Sequence, residues 1–223
     1  MISVMIHSLM HKNDLDITHE DTITSTIIGT LLHLPDQLLW KLLSEACHAS
    51  SVLPEDPGEL ESYEFWPKWN PEGTNNTSYV EPDVFLRFSG AVLIIEAKRS
   101  DEGGQYREEW EQELVAYDNE HDPIHVPVFL IAIGGNGSNK ANETLRINGH
   151  ERTIVKCSWV NLYEVLVAEH EKLTGSNWRV VDSLKISCDQ LGIRSYQWLD
   201  ARPWISDIRI AIPEDYHTLI FKR

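Results

Sequence analysis

Basic residues are scarce in this chain: 19 Lys and Arg stand against 35 Asp and Glu, giving a formal net charge of −16. A protein that coats nucleic acid electrostatically draws most of its affinity from Lys and Arg, so the overall balance excludes that kind of binder. The deficit is uneven. Residues 1–139 hold 24 acids and 7 bases, whereas residues 140–223 hold 11 acids and 12 bases. Lys185, Arg194, Arg202 and Arg209 form a modest basic concentration in that second, neutral part.

Cysteine is sparse too. Cys47, Cys157 and Cys188 lie far apart and in no C-x-x-C spacing, which speaks against a thiolate metal site or a disulfide framework and for free buried thiols. No apolar run approaches the roughly 18 residues that a membrane helix needs, so no membrane partner is expected. The opening "MISVMIHSLMHKNDLD" lacks a basic start, a long apolar centre and a small-residue cleavage site, which leads us to expect a cytoplasmic protein. Internal repeats and low-complexity tracts are missing. "GGNGSNK" lacks the G-x-x-x-x-G-K-[ST] spacing of a phosphate loop and reads as a turn.

The apolar residues that are present have clear periods. Ile23, Ile27, Ile28, Leu31 and Leu32 follow helical spacing, as do Leu38, Leu39, Leu42 and Leu43, and Pro35 divides the run into two helices. Thr18 and Asp21 suit a capping arrangement at the first helix start. "YEFWPKWN" reads as a short strand, and its Pro67 marks an edge or a bulge. "VPVFLIAI" is an apolar run typical of a strand covered on both faces. "RTIVKCSWV" is a further strand, while "YREEWEQELVAYDNE", "NLYEVLVAEHEKL" and part of "WRVVDSLKISCDQLGIRSYQWL" are helices. Together they imply an α/β fold with helices on both faces of a central sheet. The 223 residues suit a single domain, with a core over about 18–172 and a helical addition over about 178–223.

The most informative stretch is "YVEPDVFLRFSGAVLIIEAKR", Tyr79 to Arg99. Ser89-Gly90 between two apolar runs reads as a two-residue hairpin turn. That register sets Arg87 against Val92, Phe85 against Ile94 and Val84 against Ile95, and one step further it opposes Asp83 and Glu96. Directly opposed residues project from one face with Cα atoms about 5 Å apart. Two carboxylates so close repel unless a cation lies between them. Lys98, two residues beyond Glu96, projects from the same face. Two carboxylates and an ammonium in one small volume make a site for a hard divalent ion, most naturally Mg²⁺, with Mn²⁺ as a substitute.

"EPDV" followed by "IIEAK" resembles the signature of the PD-(D/E)XK nuclease superfamily, with Pro82-Asp83 as its first part and Glu96-Ala97-Lys98 as its second. The likeness runs from about Thr18 to Leu166. It implies a restriction-endonuclease-like core with a central mixed sheet, and a Mg²⁺-dependent phosphodiesterase that cuts DNA or, less often, RNA. Asp83 and Glu96 would hold the metal, with the Ala97 carbonyl as a further ligand, and Lys98 would orient the attacking water and offset charge in the transition state. Many relatives add a glutamate from the first helix, a place that Glu20 matches in order. One branch carries Q-x-x-x-Y on the helix after the lysine strand. This chain departs from it: Gln112 stands five residues before Tyr117, and Glu113 holds the four-residue place. Gln112, Tyr117 and, just beyond "DEGG", Gln105 are the substrate-contact candidates.

The acidic balance then implies a protein partner or a homo-oligomer that compensates the charge, or help from the neutral C-terminal region in holding nucleic acid. By association with the fold class, an effector or subunit of a defence or mobile-element system is expected. The competing expectation is a non-catalytic binding or regulatory protein that keeps the fold and offers its acidic surface to a protein partner.

Overall fold

A computed structural model describes residues 20–121 and 126–193. Thr18, Arg194, Arg202 and Arg209, and the expected helical addition past residue 193, lie outside the described residues. The chain forms α1 (Glu20–Leu31), α2 (Asp36–Ala46), a 3₁₀ turn (Ser50–Val52), β1 (Leu60–Phe65), β2 (Val84–Phe88), β3 (Val92–Ala97), α3 (Arg107–Glu120), β4 (Val128–Ile133), β5 (Glu143–Ile147), β6 (His150–Cys157), α4 (Trp159–His170) and α5 (Gly175–Gln190). The six strands make one sheet in the order β1-β2-β3-β4-β6-β5. It is mixed: β3-β4 and β4-β6 are parallel and the other pairs antiparallel.

Strand alternation sorts the side chains between two cores. Leu86, Leu93, Ile95, Ile131 and Val155 face one way and pack with α1, α2, α4 and α5. Phe85, Ile94, Leu130 and Ile154 face the other way and pack with Trp110, Leu114 and Tyr117 of α3. The expected α/β fold with helices on both faces is what the chain adopts. Every residue of β3 is buried. Each fully buried Val, Leu or Ile contributes on the order of 2 kcal/mol, enough to hold this strand in place although Glu96 sits near its end.

The β2-β3 hairpin has the expected register. Val84 pairs with Ile95, Phe85 with Ile94, Leu86 with Leu93 and Arg87 with Val92. The turn is closed by Phe88 N–H donating to Ala91 O at 2.9 Å. Gly90 is required there because a Cβ would lie 2.8 Å from the Pro57 carbonyl oxygen. β1 is an edge strand that begins at Leu60, earlier than its sequence reading, carries a bulge between Leu60 and Ser62, and ends before Trp66 and Pro67.

β5 has no counterpart in the sequence reading. Only Leu145 and Ile147 of its five residues are buried, too few to announce a strand, and its antiparallel pairing with β6 is what defines it. α1 departs from simple amphipathicity: all of its residues after Glu20 are buried. Its Ser and Thr hydroxyls tolerate this partly through their own helix, as when Thr30 Oγ1 donates to Thr26 O at 2.6 Å. The described part of the molecule contains no helix long and apolar enough to cross a membrane.

Candidate functional site

Parallel β3 and β4 deliver their C-terminal ends to one edge of the sheet, and two loops meet there. Gly135 N–H donates to Ser100 O at 2.6 Å and Gly137 N–H to Asp101 O at 2.8 Å, joining the loop after β3 to the turn after β4. The Asp101 carboxylate in turn accepts the Trp159 and Val160 amides at 2.9 and 3.1 Å, capping α4. "GGNG" is therefore a packing turn, as its sequence suggested. Gly134 and Gly135 have φ of 72° and 66°, a region where a side chain is strained. A Cβ on Gly134 would also stand 2.5 Å from Lys98 O, and one on Gly135 2.8 Å from Lys98 Cγ.

Asp83 lies one step before β2, and three contacts fix it. Its carbonyl accepts Trp66 N–H at 3.0 Å, Oδ1 accepts the Trp66 indole N–H at 3.2 Å, and Oδ2 accepts the Ala97 amide at 2.8 Å. Trp66 takes φ of 50° to do this, an uncommon conformation for a bulky residue and one that the surrounding contacts must hold. The bond to Ala97 joins Asp83 to the strand end that carries Glu96.

On that face Lys98 Nζ lies 2.5 Å from Glu96 Oε1 and 3.1 Å from Glu109 Oε2. Gln105 donates to the Glu96 carbonyl at 3.0 Å and accepts the Trp110 indole N–H at 2.7 Å. Glu20, at the start of α1, accepts the Arg99 amide at 3.0 Å. The buried helix thus brings its first residue to the rim of the cluster from the opposite side of the sheet.

The candidates Asp83, Glu96, Ala97, Lys98, Glu20 and Gln105 therefore come together. Gln112 and Tyr117 stand apart. Gln112 donates to Glu108 O within its own helix at 3.1 Å. Tyr117 belongs to an aromatic group with Trp69, Phe85 and His121, with Arg152 over its ring.

Two residues of α3 complete the cluster without having been singled out beforehand. Glu109 shares Lys98 with Glu96, and Glu113 is buried against Glu96 and Asp83. A signal was present in the sequence: Glu113 lies three residues after Trp110 and four before Tyr117, which sets it on the buried stripe of the helix.

The electrostatics follow from burial of like charge. Burial, then the charge of Glu96, pushes the Asp83 carboxyl well above its usual range, and the Ala97 amide and Lys98 only partly offset this. Burial and the adjoining Glu96 do the same to Glu113. Glu20 is raised by burial and Glu96, against the pull of Lys98 and the Arg99 amide. Burial alone would lower Lys98, but Glu96, Glu109 and Glu20 outweigh it and hold the ammonium above the usual lysine range.

This oxygen-rich donor set suits a hard divalent cation. Among the described residues no three acidic, histidine or cysteine side chains stand as a ready-made metal cage. Mg²⁺ does not need one, since it is commonly held by one or two carboxylates and keeps several waters. The excess of buried acid over the single ammonium and the Oε2 atom of Glu113, buried without a donor, both fit an added cation.

No family model matches the chain. Over 210 residues it is 29% identical to the Uncharacterized protein PM0110 of Pasteurella multocida (strain Pm70), a span covering 87% of this chain and 78% of that protein.

Proposed function

We propose that this chain is a Mg²⁺-dependent nuclease of the PD-(D/E)XK kind, hydrolysing phosphodiester bonds in DNA ahead of RNA. The observation that carries the proposal is the placement of Asp83 beside the Glu96 strand end, with Lys98 directly on Glu96. Asp83 and Glu96 would hold the cation, with the Ala97 carbonyl as a further ligand and Glu20 at the rim. The chemistry that a bound Mg²⁺ supplies is Lewis acidity toward phosphate oxygen and a lower pKa for water. Lys98 stays protonated and offsets negative charge as it develops on the phosphoryl oxygens. Gln105, anchored by Trp110, fixes the backbone of Glu96 and so the direction of its carboxylate.

The net charge of −16 opposes binding to a polyanion, which supports the need for a basic protein partner or an oligomer during the reaction. A cytoplasmic role as an effector or subunit of a defence or mobile-element system remains part of the proposal, by association with the fold class.

A second reading is favoured by the closure of the cluster. Both oxygens of Asp83 already accept bonds from Trp66 and Ala97, and Lys98 already has two carboxylates. On that reading the group is a structural ion-pair network in a binding or regulatory protein that uses its acidic surface.

The test is incubation with single-stranded and duplex DNA and RNA, with Mg²⁺, Mn²⁺ or chelator. Cleavage that needs the cation and is lost in Asp83→Asn supports the nuclease. Metal-independent stability with no cleavage, alone or beside a basic partner, supports the second reading.

A further inference from the structure

Glu113 has the chemistry of a ligand that lacks its ion. It projects from the sheet-facing stripe of α3, between Trp110 and Tyr117, and is 5% exposed. Its Oε2 atom is buried and no protein donor reaches it. The side chain within hydrogen-bonding reach is another carboxylate, Glu96, and the charge of Asp83 also acts on it.

A buried carboxylate ordinarily collects donors. The other acids of the cluster do so: Asp83 has Trp66 and Ala97, Glu96 and Glu109 have Lys98, and Glu20 has the Arg99 amide. Glu113 alone among these five has a buried oxygen with no donor or cation on it. Leaving such an oxygen unmet costs on the order of 1–3 kcal/mol or more when the group is charged, so an apolar residue would serve the core better at this position of α3.

We infer that Glu113 is a direct ligand of the divalent cation at this centre, holding it from the helix side while Glu96 holds it from the strand. The inference rests on the proposed cation site but not on cleavage. Glu113 would join Asp83 and Glu96 on the cation, with water filling the remaining positions, and Lys98 keeps Glu109 as a partner when Glu96 turns its charge to the cation. The helix after the lysine strand thereby becomes part of the cation site, in addition to covering one face of the sheet.

The experiment is calorimetric titration of the full chain with MnCl₂. Glu113→Gln keeps the volume and should fold, and Glu113→Asp keeps the charge but withdraws the oxygen. Glu108→Gln removes the same charge from an exposed position of the same helix. Glu113→Gln and Glu113→Asp should each weaken Mn²⁺ binding about tenfold or more, whereas Glu108→Gln should change it about threefold at most. If Glu113→Gln binds Mn²⁺ within about threefold of the wild type, Glu113 is not a ligand. If the wild type itself binds no Mn²⁺ at millimolar concentration, both this inference and the proposed cation site fail. Loss of Mn²⁺ binding in Glu113→Gln with no cleavage by the wild type, alone or beside a basic partner, would uphold the ligand and remove the nuclease.

Discussion

Lys98 Nζ sits 2.5 Å from Glu96 Oε1, two residues further along the same face of the chain. Glu109 approaches the same ammonium from α3 at 3.1 Å. Lys98→Met keeps the stem and removes the charge, so it is expected to act in opposite directions on two observables. Divalent-cation binding should persist or tighten, because a like charge has gone. Cleavage should fall about 10²-fold or more, on the scale of a lost electrostatic contact to a transition state. Cation-free stability should also drop, by about 3 kcal/mol, because Glu96 loses its partner in a largely buried pair. Parallel single-turnover and calorimetric measurements separate these effects; wild-type cleavage by the variant would reduce Lys98 to a salt-bridge partner.

The raised carboxyls of Asp83 and Glu113 make a pH dependence that can be assigned. Each keeps its proton in the folded chain over a range where the unfolded chain, with carboxyl pKa values near 4, has lost it. Their stabilising contribution is complete below that value and is lost as pH rises through the window up to the folded pKa. Urea midpoints measured in chelator should therefore fall as pH climbs from about 4 toward neutrality. Glu113→Gln removes one titrating group and should give a shallower fall, with the gap from wild type widening as pH rises. Curves that stay parallel would mean that Glu113 titrates normally.

The hairpin could be read because its turn, its apolar pairs and its charged end all depend on local chemistry with a period of two. That helices cover both faces could be read as well, because the central strands are apolar on both sides. β5 could not be read, since its place is set by pairing with β6 and not by its own pattern. The site divides the same way. Asp83, Glu96 and Lys98 follow from one register. Glu113 depends on where α3 lands on the sheet, a tertiary fact that only the buried stripe of Trp110, Leu114 and Tyr117 foreshadowed. Gln112 lies one helical position, about 100°, from the face that Glu113 occupies.

Asp101 links the loop after Lys98 to α4 by accepting the Trp159 and Val160 amides with its two oxygens. Those amides are among the first of the helix and have no partner within it. Asp101→Ala should cost about 1–2 kcal/mol of stability, the usual range for a lost helix cap, read as a shift of the urea midpoint with unchanged slope. Asp101→Asn keeps an acceptor but loses the charge at the positive end of the helix, and should fall between the two. No loss in Asp101→Ala would mean that water replaces the carboxylate without penalty.

The paired glycines after β4 allow stability and site geometry to be separated. Both have φ in the left-handed region, so alanine at either position costs about 1–2 kcal/mol for backbone conformation alone. The surroundings then differ. A Cβ on Gly134 would meet the Lys98 carbonyl at 2.5 Å and the Ser100 carbonyl at 3.0 Å, backbone atoms that cannot step aside without moving β3 or its loop. A Cβ on Gly135 would meet the side-chain stems of Lys98 and Gln105 at 2.8 and 2.9 Å, and side chains can turn. Gly134→Ala is therefore expected to lose the more stability of the two. Gly135→Ala should stay folded while displacing the ammonium from Glu96 and the amide from the Glu96 carbonyl, lowering cleavage. Thermal denaturation ranks the two variants, and a Gly135→Ala protein with wild-type cleavage would show that the position of the Lys98 stem is not limiting.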